Sequence, residues 1–212
     1  KNWVKEFSIA NQLGLKKMEW TIDRKNILKN PLFNKNQIIK IKKLSKVNDL
    51  KIESITCDFF MQRPFFKIKN RKKMSIEISL LKMLIKLSKK IGIKYFILPL
   101  VDNSSINSKK EEQILIKELI KASKILKKNK QKILFEIDYP PTKLKNFIKK
   151  FPPLVFGINY DLGNSASNGY DLKEEIDYFK YVKNIHIKDR KLNGPTVPLG
   201  KGDADFNFFF KS

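Results

Sequence analysis

Three polar residues stand at the ends of three consecutive apolar runs, and their types could hold a divalent metal ion. They are Glu136, Asp161 and His186, the only histidine in the chain. Two carboxylates and one imidazole form a mixed oxygen and nitrogen set that suits Mn²⁺, Mg²⁺, Co²⁺ or Zn²⁺. A purely structural interpretation stays open, because Asp161 also begins a turn-like sequence and a lone histidine at a strand end is often structural.

A charged stretch and a glycine-rich segment follow His186. Lys188, Asp189 and Arg190 come at once, and residues 194–206 contain three glycines. A strand that ends in a histidine and opens into such a loop is one way in which α/β barrels present catalytic groups. The alternative is a solvated cluster of charges after a structural histidine.

The pattern of apolar residues predicts strands that alternate with helices along the chain. The predicted strands are residues 18–20, 52–57, 95–99, 133–136, 154–161 and 184–188. The predicted helices are residues 3–13, a helix capped by Asn34 or Asn36 and continuing to residue 44, and residues 76–91, 109–128, 142–150 and 172–181. Strands in this order are expected to be parallel, with right-handed crossover connections through the helices.

Six strands fall short of the eight that close an α/β barrel. The predicted fold class is therefore α/β, a TIM (β/α)8-type barrel that lacks its first and last strands in this chain. No linker divides residues 1–212, so we expect a single, incomplete barrel domain, and the absence of an initial methionine suggests the interior of a longer protein. A doubly wound sheet is the alternative, but no glycine-rich phosphate loop follows an early strand.

The carboxyl ends of all strands lie on one face of a parallel barrel, and active sites form there. In this sequence that face would collect ten polar side chains from the predicted strand ends and the segments after them. They are Asp23, Asp58, Asp102, Ser104, Glu136, Asp161, Asn164, His186, Lys188 and Arg190.

The formal charge of +24 taken alone would suggest a nucleic acid or an anionic substrate. The positive charge comes almost entirely from lysine, and isoleucine and asparagine are also abundant. These three residues share A/T-rich codons, so a biased genome explains the charge better than a nucleic-acid partner does. We therefore expect no nucleic-acid partner, while a phosphorylated sugar would tolerate the basic surface.

The remaining bulk features concern the compartment. No apolar run approaches the ~18 residues that suggest a membrane span, and no signal peptide is visible at the start of the chain. A single cysteine, Cys57, cannot form an internal disulfide, which suits a reducing compartment. We expect a cytoplasmic protein without a membrane partner.

Several short motifs match one known family. They are Glu6-Phe7, Leu13-Gly14-Leu15, Glu19-Trp20, residues 97–101 with Ser104-Ser105, Phe135-Glu136, residues 159–164, and residues 186–190 leading into residues 197–202 and Asp205-Phe206. On these motifs the sequence resembles the sugar-phosphate isomerase/epimerase family of xylose-isomerase-like TIM barrels, in particular hexulose-6-phosphate isomerases and ribulose-5-phosphate 3-epimerases. The resemblance covers essentially the whole chain, and the last two motifs are the most specific.

The resemblance implies a divalent metal held by a Glu, an Asp, a His and a further Glu. Glu136, Asp161 and His186 match the first three, and the fourth would lie on a last barrel strand that we expect beyond Ser212. Glu136 would also be a catalytic base. Some epimerases of the fold place a substrate-binding histidine where this chain has Asn164.

The resemblance also implies the reaction and its partners. A sugar or sugar phosphate would be isomerised or epimerised by proton transfer through an enediolate. Lys188 and Arg190 match basic positions that can meet substrate oxygens or phosphate, and we add Asp102 and Ser104 as substrate-binding candidates from the third strand end. A homo-oligomer is an open alternative to a monomer.

Two rival functions remain. A DNA-repair barrel of the endonuclease IV type shares the fold, but such enzymes hold several zinc ions and need many histidines. A truncated barrel without catalytic activity is the second rival, because the expected edge strands are missing from this sequence.

Overall fold

The computed structural model describes residues 3–23 and 27–211 and contains a six-stranded parallel sheet with the strand order β1-β2-β3-β4-β5-β6. All six predicted strands are confirmed. Their bounds are Lys17–Thr21 (β1), Lys51–Thr56 (β2), Tyr95–Leu100 (β3), Lys132–Ile137 (β4), Phe156–Asp161 (β5) and Val182–His186 (β6). Beyond them Asp189–Arg190 (β7) and Thr196–Val197 (β8) form an antiparallel hairpin.

Helices connect the strands, as expected of a parallel sheet. The α-helices are Trp3–Gln12 (α1), Lys35–Val47 (α2), Asp58–Gln62 (α3), Arg71–Lys89 (α4), Lys109–Ile120 (α5), Ser123–Asn129 (α6), Pro141–Ile148 (α7), Leu162–Asn168 (α8), Leu172–Glu175 (α9) and Phe206–Lys211 (α10). Short 3₁₀ helices occupy Ile27–Lys29, Pro31–Phe33, Phe65–Lys67, Asp102–Ser104 and Ile176–Tyr181. Within the described residues, none of the helices has both the length and the apolar character to cross a membrane.

The sheet curls into an open barrel. In the described part of the chain, β1 and β6 each pair with a strand on one side only. Glu19 on β1 and His186 on β6 nevertheless approach to 3.1 Å between Oε1 and Nε2. This contact between the two outermost strands requires strong curvature, in agreement with the predicted barrel rather than with a doubly wound sheet.

Local sequence explains several helix boundaries. Asn34 begins α2 by accepting hydrogen bonds from the backbone of residues 36 and 37, so Asn34 and not Asn36 is the cap. Asn70 and Ser108 cap α4 and α5 in the same way. Gly92 follows α4 with a φ of 95°, a left-handed conformation that glycine adopts without strain.

The helix predicted over residues 76–91 is α4, which begins at Arg71 and ends at Lys89. Three further predicted segments differ from the structure. The single helix 109–128 is two helices, because a tight turn at Ala122, whose N–H bonds to the carbonyl of Leu119, separates α5 from α6. The apolar stripe continues through this turn, which is why periodicity indicated one helix. Residues 172–181 form α9 and a 3₁₀ helix, and the turn predicted after Asp161 is the start of α8.

Aromatic side chains fill the space between β4, β5 and α7. Phe135 is fully buried, with its ring centroid 5.3 Å from Phe147, 4.8 Å from Phe151 and 5.8 Å from Phe156. Because Phe135 precedes Glu136 on the same strand, this cluster fixes the strand that carries the candidate ligand.

We predict that Phe135→Ala destabilises the fold by about 3–5 kcal/mol, because the truncation leaves a cavity in a packed core. Phe210→Ala is the matched control, since Phe210 is 68% exposed and its truncation should change stability little. Urea unfolding followed by circular dichroism measures both values. Equal stability of the two variants would contradict the assigned core.

Candidate metal centre

The structure brings Glu136, Asp161 and His186 together at the carboxyl ends of β4, β5 and β6. One candidate ligand atom from each residue lies within 4.8 Å of those of the other two. Asp161 and His186 are direct partners in the β5–β6 register. This cluster could accept a cation because it offers two oxygen ligands and one nitrogen ligand from rigid strands.

Two asparagines on the same strands as the candidate ligands support the cluster through hydrogen bonds. Asn159 donates from Nδ2 to Glu136 Oε2 at 2.9 Å, and the same Nδ2 lies 3.1 Å from His186 Nδ1. Asn184 donates to Asn159 Oδ1 at 2.7 Å. Sequence reasoning missed both, although each stands two residues before a candidate ligand and therefore on the same face of its strand.

Asn164 joins the carboxylates to the basic side chains. Its Nδ2 donates to Glu136 Oε1 at 2.9 Å, and its Oδ1 accepts from Lys188 Nζ at 3.1 Å and from Arg190 Nη1 at 3.0 Å. The backbone N–H of Asn164 also donates to Asp161 Oδ1 at 2.8 Å. The first turn of α8 therefore belongs to the same network as the candidate ligands.

The two predicted basic residues lie beside the cluster. Lys188 Nζ is 3.3 Å from Asp161 Oδ2. Arg190 donates through Nε and Nη2 to the carbonyl of Gly194, at 3.2 and 2.8 Å. Two positive charges thus border the carboxylates on the side of the hairpin.

The other two substrate-binding candidates are placed differently. Ser104 is fully buried, and its hydroxyl donates to the carbonyls of Pro99 and Val101. This bonding serves the loop after β3 itself. Asp102 is exposed, with a φ of 52°, and in the described residues no hydrogen bond connects its side chain to the cluster.

Asp189 organises the glycine-rich segment that the sequence singled out. Its carboxylate is buried and accepts backbone N–H groups from Gly200 at 2.8 Å, Gly202 at 2.7 Å and Ala204 at 3.2 Å. A Cβ at Gly202 would lie 2.0 Å from Asp189 Oδ1, so this close approach requires glycine. The loop after the hairpin is thereby tied to the site.

The mouth of the barrel is acidic although the chain is strongly basic. A cavity of about 1070 Å³ opens beside β1 and is lined in part by Glu19, Asp23 and Asp58. Burial, followed by the charges of Asp23, Glu136 and Glu19, raises the pKa of Asp58. A divalent cation would be attracted to this concentration of negative charge.

Burial and neighbouring charges shift the pKa values of residues in the cluster. Burial alone would lower the pKa of His186, but hydrogen bonds and charges from Glu136 and Glu19 outweigh it and raise that pKa to about 10. Burial, then repulsion from Glu136, raises the pKa of Asp161 despite the nearby ammonium of Lys188. The imidazole of the metal-free protein is therefore protonated at neutral pH.

Comparison with known proteins agrees with this architecture. The sequence model of the xylose isomerase-like TIM barrel family matches residues 7–212. The chain belongs to this family. A comparison with curated protein sequences found no match.

Solved structures with the same fold share little sequence identity with this chain. A zinc-bound IOLI protein has a TM-score of 0.78 at 15% identity, covering 100% of this chain and 79% of that one. A xylose isomerase-like TIM barrel protein from Mycobacterium smegmatis in complex with magnesium has a TM-score of 0.72 at 14% identity, covering 99% and 76%. A sugar phosphate isomerase/epimerase from Parabacteroides distasonis has a TM-score of 0.69 at 19% identity, covering 100% and 79%.

We predict that divalent metal binding tightens as the pH rises, because a metal ligated by His186 must displace the imidazole proton. With the pKa of His186 at about 10, the association constant for Mn²⁺ should rise about tenfold per unit between about pH 6 and 8. Calorimetric titration in buffers of different ionisation enthalpy measures the affinity and the released proton. His186→Asn should lose this slope, and a pH-independent affinity of the unmodified protein would contradict the assignment.

Proposed function

We propose that this chain provides a metal-dependent isomerase or epimerase site for a sugar or sugar phosphate. The observation that carries the proposal is the convergence of Glu136, Asp161 and His186 beside Lys188 and Arg190 at the carboxyl face of the barrel. Family membership and the isomerase and epimerase neighbours agree with this class of reaction.

Glu136, Asp161 and His186 would hold the metal. The donor set fits Mn²⁺, Mg²⁺, Co²⁺ or Zn²⁺. The carboxylates of Glu136 and Asp161 already have amide donors, the ammonium of Lys188 and the imidazole of His186 around them, so their surroundings favour a positive charge at this place. When bound, a divalent cation supplies positive charge beside the carbonyl oxygen of the substrate and so favours loss of a proton from the adjacent carbon.

The residues of the chain supply the proton transfer. We assign Glu136 as the base, because it is a carboxylate inside the cluster and amide groups of Asn159 and Asn164 hold both of its oxygens in place. Glu136 removes the proton next to the carbonyl, which leaves an enediolate. In an isomerisation the same group returns the proton at the neighbouring carbon, while the hydroxyl proton of the enediolate passes from one oxygen to the other. Epimerisation instead needs a second acid on the opposite face, which returns a proton to the same carbon.

The basic side chains suit the substrate oxygens. Lys188 and Arg190 both point their cationic groups at Asn164 Oδ1, next to the carboxylates. From there they can bind hydroxyl oxygens or a phosphate, and Asn164 can exchange one of these contacts for a substrate hydroxyl. Ser104 is not among the proposed substrate contacts, because its hydroxyl forms hydrogen bonds within its own loop. Asp102 is exposed and stays a candidate for binding the substrate.

A DNA-repair function of the same fold is less well supported. It would draw on the charge of +24, but the chain has one histidine for several zinc ions. The carboxylates around the mouth would also repel a phosphate backbone.

The proposal predicts exchange of a carbon-bound proton with solvent. The protein with Mn²⁺ in D₂O should introduce deuterium beside the carbonyl of at least one member of a panel of free ketoses and ketose phosphates, followed by NMR. Glu136→Gln should lower the exchange rate by ~10²–10⁴, since a positioned base is lost. This readout detects proton removal for an isomerase and an epimerase alike.

Glu118→Gln is the matched control, because Glu118 on α5 forms an ion pair with Lys121 and not with the cluster. It should exchange as fast as the unmodified protein. Exchange by Glu136→Gln at the rate of the control would refute Glu136 as the base. A protein that binds Mn²⁺ but exchanges no proton with any member of the panel would favour the non-catalytic barrel.

A further inference from the structure

The imidazole of His186 contacts different groups through its two nitrogens. Nδ1 faces the candidate metal cluster, 3.3 Å from Glu136 Oε2 and 3.1 Å from Asn159 Nδ2. Nε2 faces the other way, 3.1 Å from Glu19 Oε1. The ring therefore lies between Glu136 and Glu19, and only one of these carboxylates belongs to the cluster of candidate ligands.

Glu19 is itself held firmly on β1. The hydroxyl of Thr56 on β2 donates to the same Oε1 that faces His186. Ser54 is the register partner of Glu19 on β2 and so lies beside it on the adjacent strand. The carboxylate is therefore fixed by the adjacent strand before it meets the imidazole.

The contact between Glu19 and His186 joins the two edges of the sheet. Glu19 and His186 are 167 residues apart in sequence and lie on the two outermost strands of the curled sheet. On the side of β6 away from β5, the described residues provide no paired strand to restrict the motion of His186. A carboxylate reaching across from β1 supplies a restraint from that direction.

We propose that Glu19 is a positioning residue for the metal centre: it accepts a hydrogen bond from Nε2 of His186 and so directs Nδ1 towards Glu136 and Asp161 as the ligand atom. The inference rests on the proposed metal site. Histidine ligands commonly donate their second ring N–H to a carboxylate, which fixes the tautomer and the ring orientation. The role of Glu136 as base does not depend on the contact between Glu19 and His186, so the two proposals can be tested separately.

The single histidine makes the claim directly measurable. In protein labelled with ¹⁵N and free of any affinity tag, the long-range ¹H–¹⁵N spectrum contains one imidazole, which is that of His186. With saturating Zn²⁺ we expect the proton on Nε2 and the metal on Nδ1. A proton on Nδ1 in the zinc-loaded protein would overturn the inference.

Two substitutions at position 19 separate the hydrogen bond from the charge. Glu19→Leu removes the acceptor and should weaken Zn²⁺ binding by ~10–100-fold, with loss of the slowly exchanging Nε2 proton. Glu19→Gln keeps an acceptor oxygen and should retain the Nε2–H tautomer and part of the affinity. Thr56→Val, which frees Glu19 from its anchor, should weaken binding less than Glu19→Leu and serves if the latter does not fold.

Glu53→Gln is the matched control. Glu53 lies on β2 and its carboxylate forms ion pairs with Lys17 and Lys94, not with His186. This variant should keep the spectrum and the Zn²⁺ affinity of the unmodified protein. Unchanged affinity and spectrum in Glu19→Leu would overturn the inference while leaving the proposed metal site intact.

The measurements also distinguish a failure of this inference from a failure of the proposed metal site. If the unmodified protein binds no Zn²⁺, the metal proposal fails, and the metal-free spectrum then tests Glu19. A protected Nε2 proton in the unmodified protein and in Glu53→Gln, lost in Glu19→Leu, supports the orientation of the ring by Glu19. Equal exchange in all three proteins overturns it.

Discussion

Repulsion between Glu136 and Asp161 is the constraint on which the site depends. Their ligand oxygens belong to a cluster within 4.8 Å, and Asp161 is only 7% exposed. Two carboxylates held this close in a partly desolvated place are costly unless positive charge or hydrogen-bond donors offset them. The described structure surrounds them with the imidazole of His186, the ammonium of Lys188 and the amides of two asparagines.

The same constraint connects the metal-free state to the proposed function. A proton on His186 now supplies part of the positive charge. Burial disfavours this proton, but hydrogen bonds and charges from Glu136 and Glu19 outweigh burial and raise the pKa of His186 to about 10. A divalent cation would replace that proton with more charge at the centre of the cluster. Lys188 and Arg190 could then turn from Asn164 to the oxygens of a substrate without leaving the carboxylates unbalanced.

The packing behind the site keeps this arrangement rigid. Glu175 is 1% exposed, and its carboxylate accepts hydrogen bonds from the hydroxyls of Tyr160, Ser165 and Tyr178, each at 2.6 Å. These bonds fasten α8 and the 3₁₀ helix after α9 to β5. Because α8 carries Asn164 in its first turn, a buried network on the outer side of the sheet helps to hold the network on the inner side.

The sequence allowed the prediction of those parts of the site that depend on local pattern. Apolar runs located the six strands, and polar residues at their ends indicated Glu136, Asp161 and His186. The alternation of side chains along a strand could also have predicted Asn159 and Asn184, which lie two residues before Asp161 and His186. The contact of Glu19 with His186 could not be predicted in this way, because it depends on how far the whole sheet curls. The start of α8 was missed because Asp161 caps a helix with the same residue types that favour a turn.

The central claim, that Glu136, Asp161 and His186 share one metal ion, is tested most directly by anomalous diffraction from a crystal soaked in Zn²⁺. We expect one strong peak about 2.0–2.2 Å from a carboxylate oxygen of Glu136, a carboxylate oxygen of Asp161 and Nδ1 of His186. A fully ordered cluster without a peak, or a peak bound elsewhere on the chain, would contradict it.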